Sequence, residues 1–226
     1  GLGDVYKRQA FVSGGLTNTS YWRKDRFYYS GDKQLSSKKH YLGGNVKAGL
    51  NYNLDDYNNV FFNTGFISRA PIFDNTFINS QSSHERNPDA KNEKVYSFEL
   101  GYGYRSQYFS ANVNAYYTMW KDKALYDTGS YEDVNGASQR WTMNMTGAQA
   151  NHMGIELDFI AKPFRWMEVN GMFSWGDWRW NGTAKGFMMN TEGQIMANSR
   201  GEVVTDMSNV DQYKYCLLYT SDAADE

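Results

Sequence analysis

KHYLGGNVKAGLNYNL, residues Lys39 to Leu54, decides the fold. Leu42, Val46, Ala48, Leu50, Tyr52 and Leu54 fall on one side of an extended strand, and Asn45, Lys47, Asn51 and Asn53 on the other, because successive strand residues point to opposite faces. Strands of soluble domains usually stop near ~5 or 6 residues, whereas a tilted strand needs ~9 to 11 to cross a bilayer. The stretch therefore reads as one strand of a membrane-crossing β-barrel.

The pattern repeats along the chain. After a turn at Asp55-Asp56-Tyr57-Asn58, Val60, Phe62, Thr64 and Phe66 oppose Asn63 and Arg69. Two strands meet near Ser106-Gln107: Tyr96, Phe98, Leu100, Tyr102 and Tyr104 oppose Ser97, Glu99 and Arg105, then Phe109, Ala111, Val113, Ala115, Tyr117 and Met119 oppose Ser110, Asn112, Asn114 and Thr118. Two more meet at Pro163-Phe164-Arg165, with Met153, Ile155, Leu157, Phe159 and Ala161 against Glu156, Asp158 and Lys162, and with Met167, Val169, Phe173 and Trp175 against Glu168, Asn170 and Ser174. With a first strand near Ala10 to Asn18, the reading gives about seven antiparallel up-and-down strands of an all-β transmembrane barrel, present as an open curved sheet.

A soluble sandwich would also alternate, and two features argue against it. None of these apolar faces carries a charge, whereas Lys47, Arg69, Glu99, Arg105, Glu156, Asp158, Lys162 and Glu168 share the other face. Lys or Arg facing lipid at the midplane costs about 2–4 kcal/mol, so complete segregation is expected if the apolar side meets hydrocarbon. The connections also alternate in length: the three short turns interleave with long polar segments near Thr19 to Lys38, Pro71 to Asn92, Lys123 to Gln149 and from Asn181 onward. Short periplasmic turns and long outer loops are the habit of outer-membrane barrels; loops of that length count against a compact soluble domain.

The two ends stand apart. Asp4 to Gln9 is what GATGTGTATAAGAGACAG encodes, and Cys216 to Ser221 is what TGTCTCTTATACACATCT encodes. These DNA stretches are nearly reverse complements and resemble a transposase-ligated library adaptor, so residues 1–9 and 216–226 are set aside as adaptor translation and 10–215 is read as the barrel segment. That segment carries as many acidic as basic side chains, which gives nucleic acid no electrostatic support as a partner. The lone cysteine, Cys216, falls in the adaptor, so the segment offers no disulfide framework, zinc site or thiol nucleophile. A mean hydropathy of −0.71 excludes a helical membrane protein but not a barrel, whose strands are half apolar.

Specific motifs sit within this pattern. Asn59 to Phe77, reading NVFFNTGFISRAPIFDNTF, resembles the barrel strand and following loop of TonB-dependent outer-membrane receptors, in which an Arg-Ala-Pro step follows an aromatic strand. Asn87-Pro88-Asp89, Glu93-Lys94 and Ser97 to Tyr102 resemble that family's next element, and Gly154 to Leu157 a later strand start; Asn92 stands where many relatives carry proline. The likeness is nearest to receptors of Bacteroidetes type. It implies a bacterial outer-membrane location and a barrel of about twenty-two strands whose lumen is filled by an N-terminal plug. It further implies energy from an inner-membrane TonB complex acting through that plug, lipid around the wall, and a nutrient, small or oligomeric, bound outside. Passive porin-type channels and surface-binding barrels would share these strands.

Under this reading Lys47, Arg69, Glu99, Arg105, Glu156 and Asp158 face the lumen. Glu156 and Asp158, two apart on one face, are better explained as lumen carboxylates than as an acid and base pair. His40, His84 and His152 are scattered, the Asp122, Asp127, Glu132 and Asp133 spacing matches no EF-hand, and Gly101 and Gly103 lack a third glycine; neither a metal site, a cofactor nor catalysis is expected. Tyr52, Tyr102 and Tyr104 lie near short turns and read as an interfacial girdle. Trp178, Arg179 and Trp180, taken to lie beyond the last strand, and Phe73 and Phe77, in the loop after Arg69, are the candidate ligand contacts at the outer rim.

Overall fold

The computed structural model describes residues 7–132, 136–181, 183–190 and 213–216. The leading and trailing parts of the two adaptor-like ends, and most of the chain after Asn190, lie outside the described residues. The described part is one antiparallel sheet in which most strands pair with the next in sequence. Its strands are β1 (Arg8–Tyr21), β2 (Lys39–Asn53), β3 (Asn58–Arg69), β4 (Glu93–Arg105), β5 (Phe109–Glu132), β6 (Ser138–Phe164), β7 (Met167–Asn181), β8 (Thr183–Asn190) and β9 (Tyr213–Cys216). The strands do not close into a barrel.

Register converts the alternation of single strands into two continuous faces. Leu50, Phe62, Leu100, Ala115, Ile155 and Trp175 lie side by side across β2 to β7, and the row below runs Tyr52, Val60, Tyr102, Val113, Leu157 and Phe173. Most of these side chains are solvent-exposed in the isolated sheet, Leu50 and Leu100 each at 60% and Phe173 at 62%. Soluble monomers rarely expose a contiguous apolar patch beyond a few hundred Å², so a face of this breadth requires an apolar environment.

The uncharged band has definable edges. On the turn side it ends in Tyr52, Tyr102 and Tyr104, with Tyr104 against Phe109 at 6.2 Å. On the loop side it ends at the row Phe66, Tyr96 and Met119, beyond which Lys94 and Lys121 face each other on the same side of the sheet. From Phe109 to Met119 the β5 strand therefore spans the band with about the ten residues a tilted crossing requires.

The short turns are closed locally. Asp55 Oδ1 accepts from the backbone N–H of Tyr57 and of Asn58, each at 2.8 Å, an Asx turn that ends β2 and starts β3. Those hydrogen bonds, the Tyr57 N–H first and the Asn58 side chain next, hold the Asp55 carboxyl below its ordinary value.

The largest departure from the sequence reading is at the loop side. Lys123 to Gln149, expected as a long polar loop, is instead the far part of a β5–β6 hairpin paired out to Glu132 and Ser138. The hairpin bends where it leaves the band: β5 changes register between Trp120 and Leu125, with Asp122 at φ 57, and Gly147 on β6 sits at φ 86. β7 and β8 pair with successive parts of β6, at Gln149 to Phe164 and at Trp141 to Thr146 respectively, and β9 pairs in turn with β8. The first strand is also longer than the expected Ala10 to Asn18, running from Arg8 to Tyr21.

Candidate ligand-binding wall and loop platform

The face opposite the apolar band is polar. Lys47, Arg69, Glu99, Arg105, Glu156 and Asp158 all fall on it by register, as do Asn63, Asn112 and Asn114. Near the short turns this face encloses a concavity of about 880 Å³ whose walls come from both Gln9 on β1 and Asp158 on β6, which makes the polar side the concave one. Asparagines and acids are paired there: Asn63 Nδ2 donates to Glu99 Oε2 at 3.0 Å, Asn112 Nδ2 to Asp158 Oδ1 at 3.2 Å, and Asn59 Nδ2 to Asn51 Oδ1 at 2.8 Å.

Aromatic side chains lie over several glycines of this wall. A Cβ added to Gly101 would come within 2.2 Å of the Phe61 ring, one on Gly154 within 2.6 Å of the Tyr116 hydroxyl, and one on Gly176 within 2.6 Å of the Trp178 ring. Trp178 Nε1 donates to the Tyr116 hydroxyl at 3.0 Å. Nothing in the linear pattern marks Phe61 or Tyr116, because each reads as an ordinary strand aromatic until the register sets a glycine opposite it.

The rim residues need three corrections. β7 runs to Asn181, so Trp178, Arg179 and Trp180 are strand residues and not loop residues. Strand alternation then separates them: Trp178 and Trp180 share the polar face, while Arg179 lies on the other side, ion-paired with Asp177 at 2.6 Å. Trp180 packs on Met145, Ala148 and Ala184. Phe77 has 0% exposure, enclosed by Phe73 at 5.3 Å between ring centroids and by the Arg86 guanidinium 4.7 Å from its centroid, so its ring offers no surface to a ligand. Phe73, half-buried, borders an open hollow of about 540 Å³ with Trp22, Arg26 and Phe27.

The loops above the wall form one bonded platform. Arg23, buried beside Asp25, donates from Nε to the Ser80 carbonyl at 2.7 Å and from a terminal nitrogen to the Gln81 carbonyl. Asp25 in turn accepts from the backbone N–H of Tyr28 and Phe27, which together with Arg23 outweigh its burial and hold its carboxyl below the usual value. Tyr29 stacks on His84 at 4.0 Å. Asn75 Nδ2 reaches Asn144 Oδ1 at 2.7 Å and the Met145 carbonyl at 2.9 Å, while Asn144 Nδ2 donates to the carbonyls of Asp74 and Phe77 at 2.7 and 2.8 Å. The loop after β3 is thereby fixed both to the loop after β1 and to the β5–β6 hairpin.

Arg69 and Glu93 link the two sequence signatures. Arg69 Nε meets Glu93 Oε2 at 2.7 Å, and Glu93 Oε1 accepts the Ala124 N–H at 2.9 Å. Asn92 donates to the Leu42 carbonyl at 2.8 Å. Among the described residues no group of His, Cys, Asp or Glu side chains is placed to hold a metal ion.

An open, curved, antiparallel meander with a lipid-compatible outside and a polar inside defines a section of an outer-membrane β-barrel wall. The family model for the TonB dependent receptor-like β-barrel matches residues 9–215, so the chain belongs to that family. It is a family of outer-membrane receptors and transporters of Gram-negative bacteria, not of enzymes, whose members work with a plug domain, TonB and surrounding lipid. Neither the curated proteins nor the solved structures yield a match.

Proposed function

We propose that this chain is part of the wall of a receptor that binds a nutrient outside the cell and imports it across the outer membrane with energy delivered from the inner membrane through TonB and a plug. The observation that carries this reading is the separation of charge across one sheet. From β2 to β6 the convex face is free of charge for the width of a bilayer core, with the Asp177–Arg179 ion pair on the loop-side part of β7, while the concave face carries Lys47, Glu99, Arg105, Glu156 and Asp158. In a closed barrel those groups line the lumen and pair with a plug, and Phe73, Trp178 and Trp180 face the route from outside. The nearer likeness to Bacteroidetes-type receptors is part of this proposal.

We also take residues 1–9 and 216–226 to be adaptor-derived, a reading supported by a family match that starts at residue 9 and ends at 215. An open sheet leaves strand edges that lipid cannot satisfy, so function belongs to the parent receptor. The test is uptake by cells carrying the parent gene. Loss of nutrient uptake on deleting either that gene or TonB supports active import; uptake that persists without TonB, with passive conductance of the purified protein in planar bilayers, would replace it with a porin.

A further inference from the structure

We infer that the convex face carries, at its outer edge, a docking site for the phosphate of an outer-leaflet lipid, built on Lys94 and Lys121. The site rests on the reading that the convex face meets hydrocarbon.

The outer edge of the uncharged face is a sloping line. Going outward on the convex side, the first ionisable side chain is His40 on β2, Lys94 on β4, Lys121 on β5 and, on β7, Asp177 followed by Arg179. Measured from the shared row of Leu50, Leu100, Ala115 and Trp175, these stand five rows up on β2, three on β4 and β5, and one and two on β7. The turn-side edge descends in the same direction, from Tyr52 on β2 through Tyr104 on β4 and Phe109 on β5 to Met167 on β7. With rows ~6.6 Å apart and strands ~4.8 Å apart, a fall of three rows over the five steps from β2 to β7 is a slope of about 40°. Strands of outer-membrane barrels tilt by ~35–45°, so the sloping line is one level in the membrane. Lys94, Lys121 and Arg179 therefore stand together where acyl chains give way to headgroups.

Two of these residues form a like-charge pair. Lys94 and Lys121 are directly opposed across β4 and β5, which is destabilising unless opposite charge stands between them. The nearby acids are engaged elsewhere: Asp122 is shared by Lys91 at 2.7 Å and Lys94 at 3.4 Å, Asp177 pairs with Arg179 at 2.6 Å, and Asp89 borders a hollow with Lys91 and not with Lys121. Among the described residues Lys121 has no carboxylate within ion-pair distance, and its ammonium lies 5.7 Å from the Tyr96 ring centroid. Directly beneath the two lysines, Phe66, Tyr96 and Met119 form the last apolar row. A ligand here has to offer an anionic group to two ammoniums and hydrocarbon to the row below, which is the make-up of a lipid phosphate. A soluble anion lacks the second half.

The experiment uses the parent receptor in a non-ionic detergent, titrated with phosphatidic acid or with phosphatidylcholine of the same acyl chains and read by native mass spectrometry. Phosphatidic acid is expected to bind more tightly. The double variant Lys94→Gln, Lys121→Gln is expected to weaken it about tenfold or more and to leave phosphatidylcholine unchanged, while Lys24→Gln, in the loop after β1, leaves both unchanged. Lys94→Arg with Lys121→Arg keeps both charges and should retain binding, which separates a lost site from lost folding. Equal binding of the two lipids, an unchanged phosphatidic acid affinity in the double glutamine variant, an equal loss in Lys24→Gln, or displacement of the lipid by inorganic phosphate at matching concentration would overturn the inference. A bimane label on Val113→Cys, in vesicles of lipid with brominated acyl chains, reads the underlying assignment separately. Quenching there with no phosphate preference removes only the docking site. Absence of quenching removes the hydrocarbon contact and the site with it.

Discussion

Asn75 and Asn144, far apart in sequence, exchange a side-chain hydrogen bond of 2.7 Å inside a buried site, and each also satisfies backbone carbonyls of the other's segment. Two amides thus hold the loop after β3 against the β5–β6 hairpin. Removing either leaves buried acceptors without donors, a cost of about 1–3 kcal/mol for each unsatisfied group. Asn144→Ala in the parent receptor is therefore expected to expose the loop between Pro71 and Asn92 to limited proteolysis while the barrel signature in far-ultraviolet circular dichroism is kept. Unchanged cleavage would show that the platform is held elsewhere.

Glycines on the concave wall differ in what stands over them, which ranks their substitutions. A Cβ on Gly101 meets the end of the Phe61 ring, which can swing away. A Cβ on Gly154 meets the Trp175 carbonyl at 2.6 Å, which is backbone. Gly154→Ala should destabilise the parent barrel by about 1–3 kcal/mol, and Gly101→Ala by clearly less, measured as urea-induced unfolding in lipid vesicles. The reverse order would contradict the register of β6 against β7.

Charge tolerance should follow the faces. Val113→Arg places a guanidinium in the middle of the apolar band and is expected to cost about 2–4 kcal/mol, whereas Asn114→Arg, one residue on, should be accommodated in the polar interior. Folding efficiency into vesicles measures both. Equal effects would mean that neither face contacts hydrocarbon.

Asp122 gives the platform a pH dependence. Burial pushes its carboxyl up, but Lys91 at 2.7 Å and Lys94 at 3.4 Å outweigh that and hold it below the ordinary value of 3.8. A carboxylate whose folded pKa is depressed contributes stability that is fully present above the unfolded value and lost as pH falls through the folded one. The hairpin base should therefore stay docked at neutral and mildly acidic pH and loosen only below about pH 4, read as hydrogen exchange at Lys121 to Leu125. Asp122→Asn keeps a side chain suited to the positive φ and should remove that pH step.

The parts legible in the sequence are those where lipid imposes a rule. Between Tyr52 and Leu42, or Phe109 and Met119, hydrocarbon on one side and water on the other force apolar and polar residues to alternate, so strand, face and turn can be read directly. Above Lys94 and Lys121 both faces meet water or protein, alternation lapses, and Lys123 to Glu132 looks like a loop although it is paired strand. The same cause hid the placement of Trp178 and Arg179, since the strand was expected to stop where its apolar face did. Phe77 was misplaced for another reason: loop residues are commonly exposed, and only the contacts of Asn75, Arg86 and Asn144 show this loop to have a packed interior of its own. The contact of the Tyr116 hydroxyl end with Gly154 depends on pairing between distant strands, which no single strand encodes.

The most direct measurement is a nitroxide scan of β5 in the parent receptor reconstituted in lipid, one cysteine at a time from Phe109 to Met119, comparing collision with oxygen and with a water-soluble nickel chelate. The expected result is strict alternation, with oxygen favoured at Ala111, Val113, Ala115 and Tyr117 and the chelate favoured at Asn112, Asn114 and Thr118. Uniform accessibility along the strand, or the opposite phase, would contradict a wall whose uncharged face meets acyl chains.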